Sequence, residues 1–249
     1  MKRYRAVLFD LFGTVALFDR EKLPLFEWQG QTSRSTMGRL RSIVEERAPA
    51  ISFERFFLTL SDVSKELGEE RIRSLREFPS RLRFVQTLLR VGFPDSPETQ
   101  KLAEQLSLSH MAILRRATSV PEEYADFLAQ VKQTYATALV SNFDHGPSAR
   151  EVLRSGGIEE YFQHIVVSDD YGWRKPHPSI FTAALSAIGV DPTDALFVGD
   201  SPEDDIVGAK KVGMDVAWVN APDAALPQGT PPPDYTIRVI PDLRAILFC

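Results

Sequence analysis

Arg5-Ala-Val-Leu-Phe9 runs directly into Asp10-Leu11-Phe12-Gly13-Thr14, and this junction decides how the chain is read. The apolar run has the length of a strand, and the glycine loosens the backbone where the strand ends. A carboxylate is thereby set at the carboxyl end of a strand, the edge at which open α/β sheets bind ligands.

Downstream, helical and strand patterns alternate. Residues 121–133 read as helix, 136–140 as strand, 147–155 as helix, 165–167 as strand, 179–188 as helix, 196–198 as strand, 203–212 as helix, 216–219 as strand and 235–239 as a last strand. Continuous apolar strands separated by helices indicate a parallel sheet buried on both faces. The expected class is α/β, a Rossmann-like parallel sheet with helices on both faces and right-handed crossovers. In that arrangement Asp10, Ser141-Asn142, Ser168-Asp169-Asp170 and Gly199-Asp200-Ser201 all follow strands and fall on one edge.

Between the first strand and this series the pattern differs. Residues 36–46, 53–67, 71–89 and 96–117 carry amphipathic helical periodicity, with breaks at Pro49, Gly68 and Gly92-Phe93-Pro94. The stretch from Arg20 to Ser119 is read as an all-helical insert, with Trp28-Gln29-Gly30-Gln31-Thr32-Ser33-Arg34 as a polar and aromatic loop before its first helix. Residues 1–17 and 120–249 then make up the core domain and 18–119 the inserted one.

Composition narrows the function classes. With 43% hydrophobic and 25% charged residues the chain can bury a core of ordinary size. Its one cysteine, Cys249, excludes a disulfide framework and a cysteine zinc site. Asp10 interrupts the first apolar run, and no stretch approaches the ~18 apolar residues of a membrane span. A soluble cytoplasmic chain with no membrane partner is expected. The net charge of −5 argues against a nucleic-acid partner. The charge is uneven, however: residues 19–119 hold 17 Lys and Arg against 14 Asp and Glu, so this segment is positive and the remainder carries the negative charge. No internal repeat or nucleotide glycine fingerprint is present, and Pro227-Gln-Gly-Thr-Pro-Pro-Pro233 reads as a polar connector.

Four stretches in order, Asp10-Leu-Phe12-Gly-Thr14, Leu139-Val-Ser141-Asn142, Arg174-Lys175-Pro176 and Val198-Gly-Asp200-Ser201-Pro-Glu-Asp204-Asp205, resemble the motifs of the haloacid dehalogenase-like hydrolase superfamily. The resemblance covers residues 9–219 and makes the insert similar to the family's helical cap. It implies that Asp10 is a nucleophile forming a covalent aspartyl intermediate. It also implies Mg²⁺ held by Asp10, the main-chain carbonyl of Phe12 and Asp200, with Asp204 or Asp205 completing the acidic set. Lys175 would be the catalytic cation, and Thr14, Ser141 and Asn142 would hold the substrate anion. By analogy with a cap arginine of dehalogenases, Arg34 and Gln31 would face the substrate; an ordinary loop position is the alternative. His145 has a similar alternative as a surface-loop residue.

Phe12 departs from the family's phosphatases, which carry a second Asp two positions after the nucleophile as general acid and base. Three readings therefore remain open. One is a Mg²⁺-dependent phosphohydrolase of a small phosphorylated metabolite, acting on leaving groups that need little protonation. Another is a metal-independent 2-haloacid dehalogenase, whose family pattern has an aromatic residue at this position. The third is a non-catalytic protein that retains phosphate and metal affinity. A phosphonatase is a minor variant. The clustered acids of the fourth motif favour the first, because neighbouring carboxylates repel unless a cation lies among them. The partner is a small anionic molecule, and the pattern is compatible with a monomer or a homodimer.

Overall fold

The computed structural model describes residues 3–248; Met1, Lys2 and the lone Cys249 lie outside it. The chain divides into two compact units, Met1–Phe18 with Ser119–Cys249, and Asp19–Thr118. In chain order, β1 (Ala6–Phe9) and β2 (Leu17–Phe18) are followed by the second unit, with β3 (Leu25–Trp28), β4 (Gln31–Arg34), α1 (Met37–Arg47), α2 (Phe53–Ser74), α3 (Ser80–Arg90) and α4 (Pro97–Arg116). The chain then returns through β5 (Thr118–Ser119), α5 (Glu122–Thr134), β6 (Ala136–Ser141), α6 (Gly146–Ser155), β7 (His164–Val167), α7 (Ser168–Tyr171) and α8 (Pro178–Ile188). It closes with β8 (Ala195–Gly199), a helical turn Pro202–Ile206 leading into α9 (Val207–Val212), β9 (Asp215–Val219), β10 (Tyr235–Ile237) and α10 (Arg244–Leu247).

The first unit is built on a six-stranded sheet in the order β10-β9-β8-β1-β6-β7, with every pair parallel. Alternation along the central strand divides its side chains between two cores. Val7 and Phe9 pack with Phe127, Leu128 and Leu153 on one face, and Ala6 and Leu8 pack with Ile180, Phe181 and Ala184 on the other. This two-sided burial is why the strands read as unbroken apolar runs. From β1 the chain proceeds outward through β6 and β7 and then returns to β8 on the opposite side. The point of reversal beside β1 is a topological switch point, where the strand ends leave a crevice. Phe9 is paired with both Leu139 and Val198, so the residues that follow β1, β6 and β8 emerge at the same level.

The second unit has its own core, in which Leu40, Ile43, Phe53, Phe56, Phe84, Leu88 and Leu106 meet. It departs from the all-helical reading and its helix bounds in two places. First, β3 and β4 form an antiparallel hairpin in which Trp28 pairs with Gln31 and Leu25 with Arg34. The stretch read as a loop is therefore its turn and second strand. Gln29 and Gly30 have φ of 49° and 77°, and two successive positive φ values match the twist of a tight hairpin.

Second, α2 continues through Gly68 to Ser74, and 71–89 is not one helix. A glycine costs a helix about 1 kcal/mol relative to alanine, too little to break one that buries Phe56, Leu60, Val63 and Leu67. The break falls at Leu75, whose φ is 55°, and Pro79 then bars Phe78 from helical backbone. The turn is pinned by an ion pair of half-buried Arg71 with buried Glu77, Nε to Oε1 at 2.7 Å, and by Arg71 donating to the Phe78 carbonyl. Among the described residues no helix is long and apolar enough to cross a membrane.

Candidate active site

Asp10 continues the ladder beyond β1, its N–H donating to the Val198 carbonyl at 2.8 Å. Its carboxylate is thereby fixed at the switch point and is almost wholly buried. Lys175 comes from the loop between α7 and α8, and its side chain is 2% exposed. Its Nζ lies 2.6 Å from Asp10 Oδ1 and 2.7 Å from Asp205 Oδ1. Asp205 sits in the helical turn after β8, and its second oxygen accepts from the Ser201 N–H at 3.0 Å. Asp200 directly follows β8, and its main-chain carbonyl accepts from Trp218 Nε1 at 3.0 Å.

Asp10, Asp200 and Asp205 each offer a carboxylate oxygen, and these oxygens lie within 4.8 Å of one another. Two glycines make room for that convergence. A Cβ on Gly13 would stand 2.2 Å from Asp200 Oδ2, and one on Gly199 would stand 2.2 Å from Asp205 Oδ2. Gly13 also has φ of 88°, which side chains rarely tolerate.

Three carboxylates share one ammonium, and the electrostatics record the imbalance. Burial pushes the Asp10 carboxyl up to about 7, Lys175 opposes the rise, and Asp205 and Asp200 add to it by repulsion. Burial and then Asp205 push Asp200 up to about 6. For Lys175, burial alone would lower the value, but the pull of Asp10 and Asp205 outweighs it and keeps the amine charged. The excess negative charge and the all-oxygen donor set fit a hard divalent cation.

The remaining predicted site residues divide. Ser141 ends β6 and Thr14 follows Gly13; both hydroxyls are fully buried and, among the described residues, have no hydrogen-bond partner. Orphaned buried hydroxyls are uncommon, and at this edge they are donors available to an anion. Asn142, expected to contact substrate, is placed where its side chain brackets Lys175. Its Nδ2 donates to the Lys175 carbonyl and to Asp204 Oδ2, both at 3.0 Å, and its Oδ1 accepts from the Lys175 N–H at 2.7 Å. Asp204 thus faces Asn142, and Arg174 at 4.0 Å, while Asp205 belongs to the acidic cluster.

The Phe12 ring packs against Phe143 with centroids 4.5 Å apart. Arg34 lies in the other unit, where its guanidinium is engaged locally, donating to the Leu23 carbonyl and pairing with Glu21, each at 2.9 Å. His145 caps α6 by accepting from the Ser148 N–H. The bracketing role of Asn142 had no sequence signal, since its partners are 33 and 62 residues away.

These features define a hydrolase of the α/β class. A family model described as haloacid dehalogenase-like hydrolase matches residues 4–213, and the chain belongs to that family. Among curated proteins it is 28% identical over 218 residues to the glyceraldehyde 3-phosphate phosphatase of Pyrococcus furiosus, covering 88% of this chain and 81% of that one. It is 32% identical over 166 residues to the phosphoserine phosphatase of Thermus thermophilus, covering 66% and 64%. Among solved structures, a 2-haloacid dehalogenase from Pseudomonas syringae pv. Tomato superposes with a TM-score of 0.74 at 26% identity, over 100% of this chain and 99% of that one.

Proposed function

We propose that the chain is a Mg²⁺-dependent phosphohydrolase that cleaves a small phosphorylated metabolite through an aspartyl phosphate on Asp10. The observation that carries this reading is the convergence of Asp10, Asp200 and Asp205 around the single ammonium of Lys175. Asp10, Asp200, Asp205 and the Phe12 carbonyl would hold the Mg²⁺, which when bound neutralises the charge of the phosphoryl oxygens.

An Asp10 carboxylate oxygen attacks phosphorus, the bond from phosphorus to the leaving oxygen breaks, and the phosphoryl group passes to Asp10. Water then attacks the acyl phosphate, releasing inorganic phosphate and restoring the carboxylate. Lys175 favours the ionised form of Asp10 and orients it, and Asn142 fixes the main chain that carries Lys175. The unpartnered hydroxyls of Ser141 and Thr14 donate to the phosphoryl oxygens. Residues 18–119 take the part of the family's cap and select the substrate.

Phe12 can neither give nor take a proton, so the leaving group must depart without help from that position. Acyl and aryl phosphates satisfy this condition better than alkyl esters. Phosphatases among the relatives support phosphoester chemistry. The test is phosphate release from alkyl, aryl and acyl phosphates with Mg²⁺ and with chelator, using Asp10→Asn as the blank. Metal-dependent release absent from the blank is expected, strongest for acyl or aryl substrates; no release from any of them would overturn the proposal.

A second reading, hydrolytic dehalogenation of a 2-haloacid, is favoured by the aromatic ring of Phe12 and by the likeness to a 2-haloacid dehalogenase. There Asp10 displaces halide from carbon and no acid is required. Chloride release from 2-chloropropionate that persists in chelator would select it.

A further inference from the structure

A cavity of about 580 Å³ lies wholly within the second unit and is lined by three cations from three elements. Lys22 comes from the turn before β3, Arg39 from the first turn of α1 and Arg116 from the last position of α4. The rest of the lining is Pro24, Ser109, Ala112 and Ile113, and among the described residues no Asp or Glu contributes to it.

Several arginines of the unit are instead matched to acids. Arg34 sits on Glu21, Arg41 on Glu45, Arg71 on Glu77, Arg81 on Glu104 and Arg90 on Glu66. Among the described residues Arg39 and Arg116 have no such partner, and Lys22 reaches Asp19 only at 4.0 Å. Complementing a helix dipole accounts for Arg116, at the carboxyl end of α4. It does not account for Arg39, which stands in the first turn of α1, where a cation is disfavoured and no acid offsets it.

We propose that this cavity binds a small polyanion bearing phosphate or carboxylate groups. Guanidinium forks match the oxygens of either group bidentately, and concave walls concentrate the field of like charges. Pro24 and Ile113 supply apolar surface for a short carbon skeleton, and Ser109 adds a hydroxyl. The positive balance of residues 19–119 has its local expression here. The site stands whether or not Asp10 performs phosphoryl transfer.

The experiment is calorimetric titration of inorganic pyrophosphate, in chelator, into the full chain, into Arg39→Gln/Arg116→Gln and into Ser141→Ala. Saturable binding at one equivalent is expected for the full chain and for Ser141→Ala, weakened at least tenfold in the double variant and falling with added salt. Both arginines are exposed, so the double variant is expected to keep its melting temperature. Absence of saturable binding would overturn the proposal, as would a double variant that binds like the parent. Loss of binding in Ser141→Ala with retention in the double variant would overturn it too, by moving the anion to the other unit. Where binding follows the arginines, a raised KM for an anionic substrate in the double variant identifies the ligand as that substrate. An unchanged KM identifies a separate effector.

Discussion

The Nζ of Lys175 lies 2.6 Å from Oδ1 of Asp10, though 165 residues separate the two in the chain. The contact joins the loop after α7 to the end of β1, and Asp205 lies on the same ammonium. Replacing Lys175 by Met would leave the buried carboxylates of Asp10 and Asp205, and the half-buried one of Asp200 beside them, without that counter-charge. Breaking such a pair by removing one partner costs about 3–5 kcal/mol. Lys175→Met should therefore be destabilised by roughly that amount at pH 8. The loss should shrink at pH 5, where Asp10 and Asp200 take up protons. Denaturant unfolding at the two pH values reads the difference, and an equal loss at both would refute the charge argument.

The parallel sheet and the placement of Asp10, Ser141 and Asp200 at one edge were legible because each strand is an apolar run ending in a polar group. The hairpin of the second unit was not. Its second strand, Gln-Thr-Ser-Arg, is polar and exposed, so it lacks the alternation that marks a half-buried strand. Gln29 occupies a turn position where Asn, Asp or Gly would have signalled the hairpin. The hold of Asn142 on Lys175 was hidden for another reason: it arises where two loops meet in space, and neither loop records it.

Asp10 and Asp200 titrate near 7 and 6 in the folded chain, above the 3.8 of an ordinary Asp. Between those values the folded protein holds more protons than the unfolded chain, so its stability falls as pH rises. The contribution of these groups is complete below 3.8 and is lost as pH passes through 6 and 7. Protons and Mg²⁺ compete for the same oxygens. Added Mg²⁺ should raise the melting temperature strongly at pH 8 and little at pH 5, relative to chelator. Equal shifts at both pH values would remove these carboxylates from a metal site.

Phe12→Asp would supply the missing acid two residues beyond Asp10. General acid help is typically worth about 10²–10⁴-fold, so hydrolysis of alkyl phosphates should rise steeply while that of aryl phosphates changes little. The substitution also removes the packing of Phe12 on Phe143, so folding must be checked by thermal melt. A folded variant with no gain on alkyl esters would show that protonation of the leaving group does not limit turnover.

Gly199→Ala tests the acidic cluster through its geometry, leaving every charge in place. The new Cβ would stand 2.2 Å from Asp205 Oδ2 and 2.4 Å from its Cγ, so the carboxylate must move. Asp205 is 1% exposed and tied to Ser201 N–H and Lys175, which leaves it little room to retreat. Overpacking of this kind costs about 1–3 kcal/mol. The displaced oxygen should also weaken Mg²⁺ binding at least tenfold, read as the concentration that half-maximally raises the melting temperature. Destabilisation with unchanged Mg²⁺ affinity would mean that Asp205 supports the fold without serving the cation, and that Asp10 and Asp200 hold it alone.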